Sequence, residues 1–126
     1  MHENMLESKR ALVFRHWIKA NPQYTCAYEI KQSSGSSIPF SSLEEHQATY
    51  LQAIRSDKGV LVRVRGESGE PDYIYLRSVR ACVVIFIGKE FHIIDIDTWL
   101  LEKSKSRRKS LTAARAREIS VISVSF

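Results

Sequence analysis

Two side chains of opposite charge, placed two residues apart, are the strongest candidates for chemistry in this sequence. Glu29 and Lys31 lie in the strand-like run of residues 25–32, and residues two apart on a β-strand project from the same face. We therefore expect them to lie side by side, with the alternate apolar side chains turned into a core. A carboxylate can bind a divalent cation, and a neighbouring lysine can orient a water molecule or stabilise charge on a phosphate. The pattern is typical of metal-dependent phosphodiester cleavage, but also of a cross-strand charge pair on a solvated face.

The helix predicted after this strand carries a polar residue on its apolar side. Ser41 or Ser42 can cap the helix, because each has a glutamate three residues later, and we expect the helix to cover residues 43–56. Its inward stripe follows helical spacing and comprises Leu43, Gln47, Tyr50, Leu51 and Ile54. Burying an unpaired amide is costly. Gln47 is therefore either a residue that faces a functional site or a boundary residue that reaches water.

Further carboxylates are needed if Glu29 holds a metal ion, because a single glutamate binds Mg²⁺ poorly. Asp72 follows a proline at the start of a predicted strand, where a proline is tolerated. It is a candidate second ligand if its strand lies beside residues 25–31. Glu7, on the predicted first helix, is a candidate third acid. The alternative interpretations are a turn aspartate and an ordinary surface glutamate.

Two other pairs of side chains have a structural interpretation. Asp95 and Asp97 are also two residues apart, but Asp97 precedes an apolar helical segment and is suited to be its N-cap. Cys26 and Cys82 lie in apolar strand patterns without C-x-x-C spacing. We expect these cysteines to be buried free thiols, not zinc ligands.

The order of predicted elements indicates an α/β protein with a central mixed sheet flanked by helices, in one domain of 126 residues. We expect helices at residues 4–19, 43–56, 98–104 and 110–118, and strands at 24–31, 59–65, 72–77, 80–87, 90–96 and 120–126. Residues 80–87 are apolar on both faces, as in a central strand. Residues 120–126 alternate as in an edge strand, and residues 32–37 form a polar loop.

The charge of the chain favours a polyanionic partner, since the net charge is +5 and the pI is near 9.4. A basic segment, which we expect to be mobile over residues 103–110, contains Lys103, Lys105, Arg107, Arg108 and Lys109, with Arg115 and Arg117 beyond it. Arg63 and Arg65 on one strand face, and Ser34 and Ser36 in the polar loop, could extend a DNA-binding surface. No aromatic residues interleave with these charges along the chain, which favours recognition of the DNA backbone and shape. The same basic residues could equally be a solvated surface.

No apolar run approaches the roughly 20 residues needed to span a bilayer. The N-terminus lacks the layout of a signal peptide. We therefore expect no membrane partner and a cytoplasmic location.

Residues 29–31, followed by the stretch 38–47 with its His46-Gln47 pair, resemble the core signature of the RecU-type and phage Holliday junction resolvases. These enzymes belong to the PD-(D/E)XK nuclease superfamily. The resemblance covers roughly residues 5–102. It departs from the superfamily in one respect, because the Pro-Asp hairpin usually precedes the E-x-K strand. Here the only Pro-Asp pair, Pro71-Asp72, lies downstream, so the resemblance implies a permuted hairpin.

The resemblance implies a restriction-endonuclease-like core and a Mg²⁺-dependent homodimeric endonuclease that resolves branched DNA in a bacterial or phage-infected cytoplasm. Mn²⁺ would substitute for Mg²⁺, with no small-molecule cofactor. Asp72 and Glu29 would hold the metal with Glu7, Lys31 would be the catalytic lysine, and Gln47 would face the site. Two alternatives remain open: a restriction- or repair-type nuclease acting on duplex DNA, and a catalytically silent DNA-binding module.

Overall fold

The computed structural model describes the chain from His2 to Phe126, with side chains from Lys9 onward. Mixed α/β architecture is confirmed. The helices are α1 (His2–Ala20), α2 (Glu45–Arg55), α3 (Ile96–Lys105) and α4 (Ala113–Ile119). The strands are β1 (Ala27–Ser33), β2 (Ser37–Pro39), β3 (Val60–Arg65), β4 (Pro71–Leu76), β5 (Ala81–Ile87), β6 (Glu90–Asp95), β7 (Ser110–Thr112) and β8 (Ile122–Ser125).

The central sheet has the strand order β1-β5-β6-β8. β1 runs parallel to β5, whereas β6 is antiparallel to both of its neighbours, so the sheet is mixed. Every residue of β5 is buried, which confirms the central strand expected from its uninterrupted apolar sequence. β8 lies at one edge, as its alternating sequence predicted, and β1 lies at the other.

Helices cover both faces of this sheet. On one face, Leu51 and Ile54 of α2 and Trp99 of α3 pack in a core that includes Val83 and Ile85 of β5. On the other face, α1 contributes Phe14 to a second core, which includes Val84 and Phe86 of β5 and Phe91 of β6. Alternate residues of each strand therefore enter different cores. None of the described helices is long and apolar enough to cross a membrane.

β3 and β4 form a two-stranded hairpin outside the central sheet. Val60 and Leu76 at its base pack against the α2 core, while most of its other side chains are exposed. Gly59 begins the hairpin with a φ of +73°, and a Cβ there would lie 2.5 Å from the Leu76 carbonyl oxygen. Only glycine fits this close approach.

Three predicted helix starts are wrong because local hydrogen bonds begin each helix elsewhere. Residues 40–42 form a 3₁₀ turn, and α2 starts after Glu44 instead of at Ser41 or Ser42. Asp95, not Asp97, caps α3, because its Oδ1 accepts the Asp97 N–H at 3.0 Å. Residues 110–112 pair with β2, so α4 begins after Thr112.

Candidate functional site

Glu29 and Lys31 share the face of β1 that is turned toward α2 and α3. In the parallel pairing with β5, Glu29 lies opposite Val83 and Lys31 opposite Ile85, and both partners belong to the core on that side. Ile30 packs in the other core, as the alternation predicted. The interpretation as a cross-strand charge pair is wrong for the described strands, because the cross-strand partners are apolar.

Both side chains are half-buried, and neither forms a hydrogen bond or ion pair with another described residue. A partly desolvated charge without a partner reduces stability. Most such groups in folded proteins are paired or exposed. The arrangement of Glu29 and Lys31 therefore leaves a carboxylate and an ammonium group available to a ligand.

Gln47 lies on α2, which packs against β1. Its side chain is half-buried, and its Oε1 accepts the Glu44 N–H at 3.1 Å. This hydrogen bond gives Gln47 a structural role at the start of α2 and leaves its amide NH₂ without a described partner. Tyr50, which we expected on the buried stripe, is 41% exposed, and Ala48 occupies that stripe with Leu51 and Ile54.

Asp72 does not lie on a strand paired with β1. β4 pairs along its whole length with β3, which places Asp72 opposite Val64, while the described partner of β1 is β5. The hairpin is anchored at its base beside the end of α2 and pairs with itself, so it adds no strand to the sheet. Asp72 is exposed, and its Oδ1 accepts the Tyr73 N–H at 2.8 Å. The predicted role of Asp72 as a second metal ligand required its strand to lie beside β1, and β4 does not pair with β1.

The described residues contain no group of three or more His, Cys, Asp or Glu side chains arranged to hold a metal ion. Glu7 cannot be added to this set, because its side chain lies outside the described residues. Glu29 alone fits a Mg²⁺ ligand, and Mg²⁺ is commonly held by one or two carboxylates together with substrate phosphates and water. A metal site centred on Glu29 would therefore depend on oxygen atoms from the substrate.

Asp95 and Asp97, the other pair of carboxylates two residues apart, both form ion pairs with Arg55. The Arg55 Nη1 lies 2.9 Å from Asp95 Oδ2, and its Nε lies 2.5 Å from Asp97 Oδ2. The hydrogen bond to Asp97 and the charge of Asp95 raise the pKa of Arg55. These contacts join the end of α2 to the start of α3, so both carboxylates already have a cationic partner.

Cys26 and Cys82 are free thiols, as predicted. Cys82 is fully buried, whereas Cys26 is only partly buried. A hydrogen bond between the two thiols lowers the pKa of Cys26 and, with burial, raises the pKa of Cys82.

The C-terminal basic residues fall into two groups. Lys103 and Lys105 lie in the last turn of α3, and the exposed basic residues that follow are Arg107, Arg108 and Lys109. Hydrogen bonds hold this connection at both ends, from the Arg108 N–H to Ser106 Oγ at 3.1 Å and from the Phe40 N–H to the Lys109 carbonyl at 2.9 Å. The connection is thus tied to the turn before α2, and the mobility that we expected of residues 103–110 stays a prediction.

Arg115 and Arg117 are engaged in ion pairs within the protein. Arg115 contacts Glu102 and Glu118, each at 2.8 Å, and Arg117 contacts Glu90 at 2.8 Å. The hydrogen bonds lower the pKa values of Glu90 and Glu102. These two arginines are therefore poor candidates for the phosphate contacts expected of them.

The polar loop is short, because β1 continues to Ser33 and β2 begins at Ser37. Ser34 and Ser36 are exposed there, and the Ser36 carbonyl accepts the Ala113 N–H at 3.1 Å. Ser36 also lines an open groove with Lys89 and Arg117 beside the end of β5. Because Arg117 is already paired with Glu90, Lys89 is the basic side chain of the two that remains for the predicted phosphate contact beside Ser36.

Arg63 and Arg65 are exposed on the same face of β3, as the alternation predicted. The register of the hairpin places Tyr73 opposite Arg63, and Tyr75 opposite Leu61. Tyrosine rings of β4 therefore lie alongside the basic side chains of β3, a neighbourhood that we did not expect. The residues are distant in sequence, and only the pairing of β3 with β4 brings them together.

Comparisons with protein family models, with curated proteins and with solved structures returned no match.

Proposed function

We propose that the protein is a metal-dependent endonuclease that acts on DNA and prefers branched DNA such as four-way junctions. The observation that carries the proposal is the unpartnered, half-buried pair of Glu29 and Lys31 on one face of β1. A fold retains such a pair at a cost in stability, which is expected when the charges serve a ligand. The proposal includes a restriction-endonuclease-like core, supported by the parallel β1 and β5 and by α2 packed beside them.

In this function, Glu29 would be the side chain that holds a divalent ion, together with oxygen atoms supplied by the substrate. The ion would lower the pKa of a bound water and polarise the phosphodiester. Lys31, on the same side of the strand, orients the attacking water or stabilises negative charge on the phosphate. Gln47 would face the same site through its amide NH₂, while its oxygen stays bonded to the start of α2.

A catalytically silent DNA-binding module is the second candidate. The observation in its favour is the position of Asp72, which lies on the hairpin and not on a strand beside Glu29. Such a protein would bind DNA through its basic surface and would have no metal-dependent activity. The two candidates therefore differ in one measurable property, cleavage in the presence of Mg²⁺.

The test is cleavage of an end-labelled four-way junction and of a matched linear duplex, with Mg²⁺, Mn²⁺ or EDTA. We expect Glu29→Gln and Lys31→Ala each to reduce cleavage about 100-fold or more. Glu45→Gln is the matched control, because Glu45 is an exposed carboxylate at the start of α2. Faster cleavage of the duplex than of the junction would favour the restriction- or repair-type alternative.

Asp72→Asn tests the permuted site separately. Full activity of this variant would mean that the hairpin carboxylate is not a ligand, whereas a loss equal to that of Glu29→Gln would establish it as one. A wild-type protein that binds the junction without Mg²⁺- or Mn²⁺-dependent cleavage would refute the nuclease proposal and identify the silent module.

Two cuts across a junction need two active sites, so the proposal includes a homodimer. β8 has an unpaired edge in the described sheet, and Val121 and Phe126 beside it are 49% and 48% exposed. Sedimentation velocity of the wild type and of Phe126→Ser would show whether this edge holds two copies together.

A further inference from the structure

One face of the β3–β4 hairpin presents basic side chains on β3 beside tyrosine side chains on β4. From the register, this Arg–Tyr face consists of Leu61, Arg63, Arg65, Pro71, Tyr73 and Tyr75. Tyr73 is 52% exposed, and Leu61 and Tyr75 are each 58% exposed. The opposite face contains Val60 and Leu76, which anchor the hairpin to the core. The Arg–Tyr face is therefore the face of the hairpin that is turned away from the core.

The charge of this face is positive and uncompensated. Arg63 and Arg65 form no ion pair with a described residue. The acidic residues of the hairpin lie elsewhere: Asp72 alternates to the opposite face, and Glu67 and Glu70 are in the connecting turn. Arg63, Arg65 and Pro71 line one open concavity. A polyanion can therefore approach the two guanidinium groups without meeting a carboxylate on the same face.

The tyrosines are placed to accept flat apolar groups. The Tyr75 hydroxyl donates to the Lys58 carbonyl, and the ring lies close to Gly59, so its orientation is fixed before any partner binds. An ordered ring loses little further entropy on contact. Aromatic rings beside basic groups are the arrangement on which single-stranded nucleic acids stack their bases.

The spacing of the two rings distinguishes single-stranded from duplex DNA. Residues two apart on a strand are separated by about 7 Å, whereas successive bases in one strand of a duplex are about 3.4 Å apart. Two neighbouring bases can contact Tyr73 and Tyr75 only if they are unstacked from each other. Intact duplex DNA does not offer bases in that arrangement.

We propose that the Arg–Tyr face docks a single-stranded segment of DNA, with unpaired bases on Tyr73 and Tyr75 and backbone phosphates on Arg63 and Arg65. This inference rests on the proposed action on DNA and specifies the substrate further, as branched DNA that carries a single-stranded segment, such as a fork or a flap. The hairpin would then select the branched region and leave chemistry to Glu29 and Lys31.

The test is fluorescence anisotropy with a labelled oligothymidylate and a matched duplex, in EDTA so that cleavage does not contribute. We expect Tyr73→Ala and Tyr75→Ala each to weaken oligothymidylate binding about 5- to 150-fold. Tyr73→Phe keeps the aromatic ring and should bind like the wild type. The double variant of Arg63 and Arg65 to Ala should reduce the slope of log affinity against log salt by about 1.4.

Two variants serve as controls. Tyr50→Ala removes a tyrosine of α2 that is 41% exposed, and Ile74→Ala removes a side chain on the opposite face of the hairpin that is 45% exposed. Both should bind like the wild type. Circular dichroism of every variant shows whether the fold is retained.

Unchanged oligothymidylate binding by both tyrosine variants would overturn the inference. Tighter binding of the duplex than of the oligothymidylate, independent of the tyrosines, would also overturn it. If Mg²⁺-dependent cleavage is absent but binding still depends on the tyrosines, the nuclease proposal fails and the docking surface stands.

Discussion

Lowering the pH below neutrality should destabilise the fold through one buried histidine. His92 of β6 is completely buried; its Nδ1 lies 2.7 Å from Ser123 Oγ, and its Nε2 has no hydrogen-bond partner among the described residues. Burial lowers the pKa of His92. Glu90, whose Oε1 lies 3.6 Å from Nε2, partly opposes this shift, and Arg117 adds to it. The folded protein therefore binds a proton at His92 less readily than the unfolded chain.

The sign of the effect follows from this difference in proton binding. The unfolded histidine has a pKa of about 6.5, so below that value the unfolded chain gains a proton that the folded state resists. The free energy of unfolding should be fully retained above about pH 7.5 and should fall as the pH decreases toward the lowered folded pKa. One proton contributes at most about 1.4 kcal/mol between about pH 7.5 and pH 5.5.

Urea unfolding at several pH values in this window, followed by tryptophan fluorescence, measures the effect. We expect His92→Gln to remove most of the pH dependence, whereas His16→Gln, which changes an exposed histidine, should retain it. Glu90 and Glu102 also have lowered pKa values, but their contributions are lost only below about pH 4.5. An unchanged slope in His92→Gln would refute the reasoning.

Four further variants test other parts of the structure by urea unfolding. Gly59→Ala should lower the free energy of unfolding by more than about 1 kcal/mol, because its φ is +73° and the added Cβ meets the Leu76 carbonyl. Gly69→Ala, with a φ of +82° and no atom within 4 Å of the added Cβ, should lose less. Thr112→Ala should lose about 1 kcal/mol, because the Thr112 hydroxyl accepts the Arg115 N–H at 3.2 Å at the start of α4. Glu29→Gln should leave the stability unchanged or raise it, since Glu29 has no described partner to lose; a clear decrease would indicate a structural role instead.

Local patterns predicted what depends on local geometry. The period of two along β1 correctly assigned Glu29 and Lys31 to one face and Ile30 to the other. The uninterrupted apolar sequence of residues 81–87 correctly indicated the central strand. Helix starts were less predictable, because several residues near each start can cap, and tertiary contacts select among them. Ser110, for example, pairs with Pro39 and so cannot begin α4.

The position of Asp72 depends on which strands pair, and the sequence around it does not contain that information. A proline followed by an aspartate at a strand start has the same local pattern beside β1 or on a separate hairpin. The structure has β4 paired with β3 alone, so a motif can be present while its spatial neighbour is not. Mutation of Asp72 is for this reason more informative than mutation of any other predicted acid.

The basic surface shows the difference between counting charges and locating them. Arg63 and Arg115 are equivalent in the net charge of +5, yet Arg115 is bonded to Glu102 and Glu118, and Arg63 lies opposite Tyr73 without an ion pair. The position of Arg63 opposite Tyr73 could have been predicted from the sequence, because a hairpin that pairs residue 65 with residue 71 must place residue 63 opposite residue 73. The contact of Arg115 with Glu118, three residues later on α4, could also have been predicted, whereas its contact with Glu102 depends on how α3 and α4 approach each other. The arginines available to a polyanion are therefore the exposed ones without an ion pair, such as those of the hairpin, and the salt dependence of any DNA binding should follow their number instead of the net charge.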